Sequence, residues 1–113
     1  MHLTRLTIGM FLIIALLTGC INGDDEVDDD ERDRAIEAAM AVYEEAVASG
    51  IDLSVGPCIA EELDDIPGWS VDISHDPRQE IDNDSANQCQ AYRDGRTTHF
   101  VELDPDGELI RAR

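Results

Sequence analysis

The chain has 113 residues, with 26 acidic residues against 8 basic ones, and a formal net charge of -18 at pH 7. A composition with so few cations does not neutralise phosphates and therefore argues against nucleic acid as a partner. The length predicts one small domain with a limited hydrophobic core.

The first predicted element is a targeting segment. Arg5 is the only charged residue before position 20, and residues 6–17 are almost wholly apolar. An apolar run of about twelve residues is too short to cross a hydrocarbon core of about 30 Å as a helix. We therefore predict that residues 1–19 are a signal peptide that is removed by cleavage.

The end of this segment carries a second signal, Leu17-Thr18-Gly19-Cys20. It resembles the lipobox of prokaryotic lipoproteins, in which an aliphatic residue and two small residues precede a cysteine. The resemblance implies cleavage before Cys20 and a diacylglycerol, with acyl chains such as palmitate, on the cysteine sulfur. Because two acyl chains anchor a protein stably, we expect a lipid-anchored lipoprotein on the extracytoplasmic face of the cell membrane. The membrane contact is predicted to be the lipid on Cys20, since anionic headgroups repel an acidic domain.

Residues 20–30 are predicted to be the lipidated cysteine followed by an acidic tether, because dense like charges keep a segment solvated and extended. Residues 31–113 are predicted to form the single domain.

The domain opens with a helix over residues 31–49. Apolar side chains recur there at helical spacing and predict a core-facing stripe, and a glycine suited to end the helix follows at position 50. The stripe consists of Ile36, Met40, Tyr43 and Val47, widened by Ala39 and Ala46.

Two cysteines remain in the predicted domain, Cys58 and Cys89. With Cys20 taken by lipid, they form an even pair in an oxidising compartment, and we predict a disulfide worth on the order of 3–4 kcal/mol. The alternative is a catalytic or metal-binding thiol. The remaining histidines, His75 and His99, do not lie at zinc-motif spacing from either cysteine.

The other elements are predicted to be strands. Pro57 restricts residues 55–59 to an edge strand, and the alternation in residues 69–74 predicts a half-buried strand. Asp94-Gly95 is a hairpin signal between strands at residues 89–93 and 96–103. A Pro-Asp-Gly turn then leads to a last strand. The predicted fold class is α+β: one N-terminal helix packed on a four- to five-stranded antiparallel sheet, a meander, with one disulfide.

Residues 99–110 read His-Phe-Val-Glu-Leu-Asp-Pro-Asp-Gly-Glu-Leu-Ile. This segment resembles the closing hairpin of PepSY-type domains, which are small extracytoplasmic modules of a helix and a sheet, often associated with secreted peptidases. The resemblance implies a regulator or inhibitor of a secreted peptidase. The cysteine pair and the polar segment over residues 75–87 depart from the PepSY pattern.

The polar segment contains the densest group of candidate site residues. In one hypothesis, Asp76, Asp82 and Asp84 supply hard oxygen ligands for calcium, although the glycine and distal glutamate of an EF-hand loop are missing. In a second, Arg78 binds a carboxylate and His75 titrates nearby. In a third, the polar side chains only satisfy their own backbone. Apart from possible calcium, no cofactor is predicted.

The acidity itself has two interpretations. It is typical of proteins from salt-adapted microbes, in which high salt screens the repulsion between solvated acids. It could instead form a surface that binds cations.

The predicted function is a non-enzymatic binding module for another envelope protein or a peptide. Trp69 and Tyr92, if exposed, are its predicted anchors, because aromatic side chains dominate binding surfaces. A calcium-binding lipoprotein and a PepSY-like regulator are the alternatives. Catalysis is not expected: His75 and Asp72 could form a base and its orienting group, but no activated nucleophile accompanies them.

Overall fold

The computed structural model describes residues 27–113. The predicted signal peptide, the cysteine predicted to be lipidated (Cys20) and most of the predicted acidic tether lie outside the described residues. One long helix and four strands form the framework: α1 (Asp29–Ala48), β1 (Cys58–Ala60), β2 (Trp69–Ile73), β3 (His99–Leu103) and β4 (Leu109–Ala112). A short helix, α2 (Gln90–Arg93), and three single-turn 3₁₀ helices (Leu53–Val55, Glu80–Asn83 and Ser85–Asn87) complete the described elements. None of the described helices combines the length and the apolar character that a membrane crossing requires.

Helix α1 confirms the helix predicted over residues 31–49. Asp28 caps its start, with Oδ1 accepting a hydrogen bond of 3.2 Å from the backbone N–H of Asp30. Three acids in the first turn also favour the positive end of the helix dipole. Gly50 follows the last turn with a φ of +73°, the left-handed conformation that commonly ends helices.

The core-facing side of α1 differs from the predicted stripe. The fully packed positions are Ala35, Ala39 and Ala46, whereas Met40 and Val47 are 36% and 52% exposed. The prediction was therefore wrong for those two larger residues. Small side chains allow the helix backbone to lie close to the sheet, so the alanines take the central positions of the contact.

The sheet has the order β1-β2-β3-β4, which confirms an α+β fold with four strands. It is mixed: β2 and β3 pair in parallel, while the two outer pairs are antiparallel. The predicted meander is therefore wrong. Residues 90–93 form α2 and not a strand, and Gly95, with a φ of +78°, ends that helix instead of turning a hairpin. The segment between β2 and β3, residues 74–98, forms the long connection that parallel strands require, and we refer to it as the crossover.

The local predictions at both edges of the sheet are confirmed. Strand β1 is an edge strand that begins directly after Pro57. Strands β3 and β4 form the predicted closing hairpin, and its turn is held by the Asp104 carboxylate, which accepts hydrogen bonds of 2.8 and 2.9 Å from the backbone N–H groups of Asp106 and Glu108. The disulfide between Cys58 and Cys89 is also confirmed and ties β1 to the residue that precedes α2.

The two faces of the sheet have different covers. Trp69, Val71 and Ile73 project from β2 into the hydrophobic core under α1, as their alternation predicted. The intervening residues of β2 lie under the crossover, and Ser70 is as completely buried as the apolar residues. Strand β2 is consequently buried on both faces and not half-buried, because the crossover folds back over the face that the sequence assigned to solvent.

Candidate ligand-binding pocket

A pocket of about 380 Å³ lies on the sheet face opposite α1, between the strands and the crossover. Its lining combines polar strand residues with side chains from the crossover: Ser70, Asp72, Arg78, Gln88, Cys89, Tyr92, Arg93, Phe100 and Glu102. Successive residues of a strand point to opposite faces, so the polar residues that alternate with the core residues of β2 and β3 form the floor.

The parallel register brings the two acids of the floor together. Asp72 of β2 pairs with Glu102 of β3, and Ser70 pairs with Phe100. Neighbouring strands lie about 4.8 Å apart, so the two carboxyl groups are adjacent members of one cross-strand pair. Two carboxyl groups at this separation disfavour simultaneous ionisation.

Glu102 is the member of the pair that has cationic partners. Its Oε1 lies 3.1 Å from Nε of Arg111 on the neighbouring β4, and its Oε2 lies 3.7 Å from a terminal nitrogen of Arg78 in the crossover. Only 7% of Glu102 is exposed. A buried carboxylate needs such partners to offset the loss of hydration, so the two arginines stabilise its charge.

Asp72 has no comparable partner. Its Oδ1 is buried and has no hydrogen-bond partner among the described residues. Burial raises the pKa of Asp72 to about 8, repulsion from Glu102 adds to the increase, and attraction to Arg78 opposes it. The carboxyl group is therefore protonated at pH 7 and presents a neutral hydrogen-bonding group on the pocket floor.

An aromatic pair forms one wall of the pocket. The rings of Tyr92 and Phe100 meet edge to face, with centroids 5.1 Å apart and planes at 77°. This is a preferred geometry for aromatic pairs. Tyr92 is 44% exposed, so part of this apolar wall is open to solvent. The disulfide at Cys89 fixes the start of α2, the helix that carries both Tyr92 and Arg93.

The pocket also gathers cations from an otherwise acidic chain. Arg78 donates from Nε to Oδ1 of Asn83 at 2.8 Å and from a terminal nitrogen to the carbonyl oxygen of Asp82 at 3.1 Å. The guanidinium of Arg113 lies 5.7 Å from the centroid of the Phe100 ring. Arg93, by contrast, lines the pocket without a side-chain hydrogen bond or ion pair to any other described residue.

The polar segment that the sequence singled out forms a separate unit around Asp82. This buried carboxylate accepts hydrogen bonds from the backbone N–H groups of His75 and Gln79 at 3.0 and 2.8 Å, and its Oδ1 lies 2.9 Å from Nδ1 of His75. Burial on its own would raise the pKa of Asp82, but these hydrogen bonds together outweigh it and lower the pKa. A Cβ added at Gly56 would lie only 2.5 Å from Oδ1 of Asp82. The carboxylate thus organises the crossover from within.

The three aspartates proposed as calcium ligands are not brought together. Asp76 is exposed, and Asp84 accepts a hydrogen bond of 3.0 Å from the backbone N–H of Ala86, which caps a 3₁₀ helix. Across residues 27–113, the one close group of three potential metal-ligating side chains is Cys58, Glu61 and Cys89, whose sulfurs are joined in the disulfide. Calcium binding stays a prediction from the sequence.

Of the residues proposed as ligand contacts, Arg78 and Tyr92 line the pocket and His75 does not. Trp69 has 0% exposure, and its Nε1 donates a hydrogen bond of 2.9 Å to Oε1 of Glu31 in α1. Trp69 was predicted to be a binding anchor only if exposed. It is buried because it lies on the α1 face of β2, so it does not meet that condition.

The sequence interpretation did not identify the pocket floor. Glu102 was not singled out, and Asp72 was considered only as a partner for His75, which instead contacts Asp82. The available signal was an acidic residue between apolar neighbours in each of two predicted strands. Such a residue is unusual on a sheet face that is covered.

Comparison with known proteins finds no protein-family model, no curated protein and no solved structure that matches this chain. The segment that resembles a PepSY closing hairpin does form a hairpin, β3–β4. The resemblance itself, and the peptidase regulation that it implies, stay predictions.

Proposed function

We propose that this protein is a small lipid-anchored binding protein of the cell envelope, not an enzyme, and that its ligand occupies the pocket between the sheet and the crossover. One observation carries the proposal: beside an aromatic wall, a single pocket contains a buried carboxyl oxygen and an exposed guanidinium, neither of which has a partner among residues 27–113. These groups belong to Asp72, Arg93, Tyr92 and Phe100. Apolar walls with a few convergent polar groups are the general features of small-ligand sites.

The states of the potential nucleophiles favour binding over catalysis. The Ser70 hydroxyl donates a hydrogen bond of 2.7 Å to the carbonyl oxygen of Glu61, and Cys89 is held in the disulfide. His75 lies against Asp82 instead of Asp72. The protonated Asp72 and Arg93 offer hydrogen-bond donors, and Tyr92 and Phe100 offer aromatic surface; these groups can hold a ligand without forming a covalent bond to it.

Nuclear magnetic resonance of the ¹⁵N-labelled full chain in detergent micelles tests the binding site. The probes are a fragment set that contains small organic anions, organic cations and neutral amides. We expect chemical-shift changes to concentrate on Asp72, Tyr92 and Phe100, and we expect Tyr92→Ala to abolish them. Met40→Ala removes a side chain from the outer surface of α1, far from the pocket in the fold, and serves as the matched control. Shifts confined to other surfaces, or none at all, would overturn the proposed site.

The anchor rests on the sequence at residues 17–20 and has its own test. Intact mass spectrometry of the protein from membranes is expected to show loss of residues 1–19 and a diacylglyceryl addition on Cys20. Cys20→Ser should abolish the addition and release the protein from the membrane fraction. An uncleaved leader or an unmodified Cys20 would contradict lipid anchoring and leave the pocket proposal unaffected.

A further inference from the structure

We infer that the pocket binds a small organic anion: a carboxylate held by Arg93 and Arg78, joined to an apolar group that packs on Tyr92 and Phe100. This inference rests on the proposed function, because it names the class of ligand for the same pocket. It is based on three features: the distribution of charge around the pocket, the partners of the two acids in the pocket floor, and the volume of the pocket.

The distribution of arginine separates this pocket from the rest of the chain. The full sequence has 26 acidic residues and 8 arginines, yet Arg78 and Arg93 both line this pocket. Two more arginines lie on the same face of the sheet, since Arg111 pairs with Glu102 and Arg113 lies over Phe100. An acidic protein that places two arginines in one concavity, with two more on the same face of the sheet, creates a local positive potential there, and such a potential attracts anions.

The balance of charge on the floor agrees with an anionic ligand. Glu102 also lines the pocket, and Arg111 and Arg78 already offset its charge as partners. Asp72 contributes no negative charge while its carboxyl group is protonated, and it then donates a hydrogen bond. Arg93 offers guanidinium donors that no described residue uses, and a guanidinium binds a carboxylate through two parallel hydrogen bonds. An organic cation would instead meet the guanidinium groups of Arg78 and Arg93.

The volume limits the size of the ligand. A pocket of about 380 Å³ is at the small end of the usual range for ligand sites. At roughly 30 Å³ for each water-sized group, it accommodates on the order of a dozen non-hydrogen atoms. An N-acylated amino acid with one aliphatic side chain has this size and combines a carboxylate with an apolar group. The same chemistry is found at the carboxyl end of a peptide and in free amino-acid derivatives.

Protonation of Asp72 gives the inference a second readout. Charged and titratable groups face this carboxyl from three sides: Glu102 from β3, Arg78 and Asp82 from the crossover, and Tyr92 and Arg93 from α2. The pKa of Asp72 is raised to about 8. Above that pH, the ionised carboxyl repels a bound carboxylate and no longer donates a hydrogen bond. Affinity for an anion should therefore decrease as the pH rises from 7 to 9.

Isothermal titration calorimetry of the full chain in detergent tests the ligand class with three related probes. These are N-acetyl-L-leucine, which is anionic; N-acetyl-L-leucinamide, which is neutral and nearly isosteric; and L-leucine ethyl ester, which is cationic. At pH 6.5 we expect the anion to bind at least tenfold more tightly than the amide, and the cation to bind most weakly. Affinity for the anion should decrease at least fivefold between pH 7 and pH 9.

Three variants identify the contributing groups. Arg93→Gln should weaken binding of N-acetyl-L-leucine at least tenfold and leave the weak binding of the amide unchanged. Asp72→Asn should abolish the decrease in affinity between pH 7 and pH 9, because the amide does not titrate in this range. Arg34→Gln makes the same change of charge on an exposed position of α1 and should alter neither result.

Three outcomes would overturn the inference. Tighter binding of the amide or the ester than of the anion would show that the ligand class is wrong; if Tyr92→Ala abolishes that binding, the pocket remains the binding site. An affinity for the anion that is insensitive to Arg93→Gln would remove the assigned contact. If none of the three probes binds, the ligand class fails, and the fragment screen by nuclear magnetic resonance then decides independently whether the pocket binds anything.

Discussion

The two faces of the sheet come from the same strands and have opposite chemistry. On the α1 face, Trp69, Val71 and Ile73 are completely buried in one continuous apolar core. On the crossover face, Ser70 and Asp72 alternate with them and form the floor of a polar pocket. Each face is covered, but only one of them is packed with apolar side chains. The α1 face forms the apolar core, and the crossover face carries a buried carboxyl oxygen that no described residue satisfies.

Asp72 shows the difference most clearly. A buried carboxyl oxygen without a partner decreases the stability of the folded state, because it loses hydration without gaining an equivalent hydrogen bond. Natural proteins retain such unfavourable groups at sites where function requires them. The contrast between the faces therefore supports a functional role for the pocket, and the variants below test it.

The largest expected effect comes from truncating one aromatic residue on each face. Trp69→Ala should decrease the free energy of unfolding by about 4 kcal/mol, because it leaves a large cavity under α1 and removes the hydrogen bond to Glu31. Phe100→Ala should decrease it by about 1–2 kcal/mol, since the Phe100 side chain is only half-buried and borders the pocket. Urea denaturation followed by circular dichroism measures both. If the two variants lose the same free energy of unfolding, the α1 face is not packed more tightly than the crossover face.

The second effect concerns the disulfide. Cys58 and Cys89 are 31 positions apart, and opening a loop of this length should decrease the free energy of unfolding by about 3–4 kcal/mol. We expect Cys58→Ala/Cys89→Ala to increase hydrogen exchange most strongly at Ala91 and Arg93 in α2, whose N–H groups donate to Oε1 of Glu61 and to the carbonyl oxygen of residue 89, because the disulfide fixes the start of that helix. Mild reduction of the wild-type protein is the matched control. If protection from hydrogen exchange decreases as much in α1 as in α2, the disulfide stabilises the whole domain and not the crossover face in particular.

The third effect is a gain in stability at the pocket floor. The pKa of Asp72 is about 8 in the folded protein, against an ordinary value of 3.8 for an aspartate. Between these values the folded state binds more protons than the unfolded state, so wild-type stability falls as the pH rises from about 4 to about 8. Asp72→Asn removes this dependence. The variant should be more stable than wild type by about 2–3 kcal/mol at pH 8, with little difference at pH 4.

Urea denaturation at several pH values checks this prediction. Asp106→Asn changes an exposed carboxylate in the β3–β4 turn and is the control for the loss of one negative charge. A stability difference for Asp72→Asn that is constant between pH 4 and pH 8 would contradict a buried protonated carboxyl. A loss of stability at pH 8 would show that the ionised carboxylate has a partner in the folded state.

The elements that depend on local signals were predictable from the sequence. Helix α1 follows from its helical spacing and from Gly50, the closing hairpin from its Pro-Asp-Gly turn, and the edge position of β1 from Pro57. The disulfide followed from cysteine parity in an oxidising compartment. Each of these features is determined by residues that are close in sequence or by a simple count.

The parallel pairing of β2 with β3 was not predictable in this way. A glycine can adopt a positive φ both at the end of a short helix and in a two-residue hairpin turn. The sequence Asp94-Gly95 is therefore compatible with either structure. The pocket was missed for a related reason. Alternation in β2 shows which residues share a face but does not show what covers that face. The crossover that covers Asp72 is held by long-range contacts, among them the bond between Cys58 and Cys89.

The smallest effect tests the α1 face at a single close contact. A Cβ added at Gly107, in the β3–β4 turn, would lie 2.7 Å from Cε1 of Tyr43, whose hydroxyl donates a hydrogen bond of 2.9 Å to the carbonyl oxygen of Pro105. At Gly95 an added Cβ meets nothing within 4 Å. Both glycines have a positive φ, so alanine causes a similar backbone strain of about 1 kcal/mol at either position.

Gly107→Ala should therefore be less stable than Gly95→Ala by a further 1–2 kcal/mol or so, the effect of displacing the Tyr43 ring and its hydrogen bond. Urea denaturation measures both variants, and the double variant Gly107→Ala/Tyr43→Ala isolates the contact, since the additional loss should disappear when the ring is absent. The contact belongs to the α1 face, so the affinity of the pocket for N-acetyl-L-leucine should not change in Gly107→Ala. A change in affinity would show that the two faces are energetically coupled through the sheet, and the separation of stability from binding would then not hold.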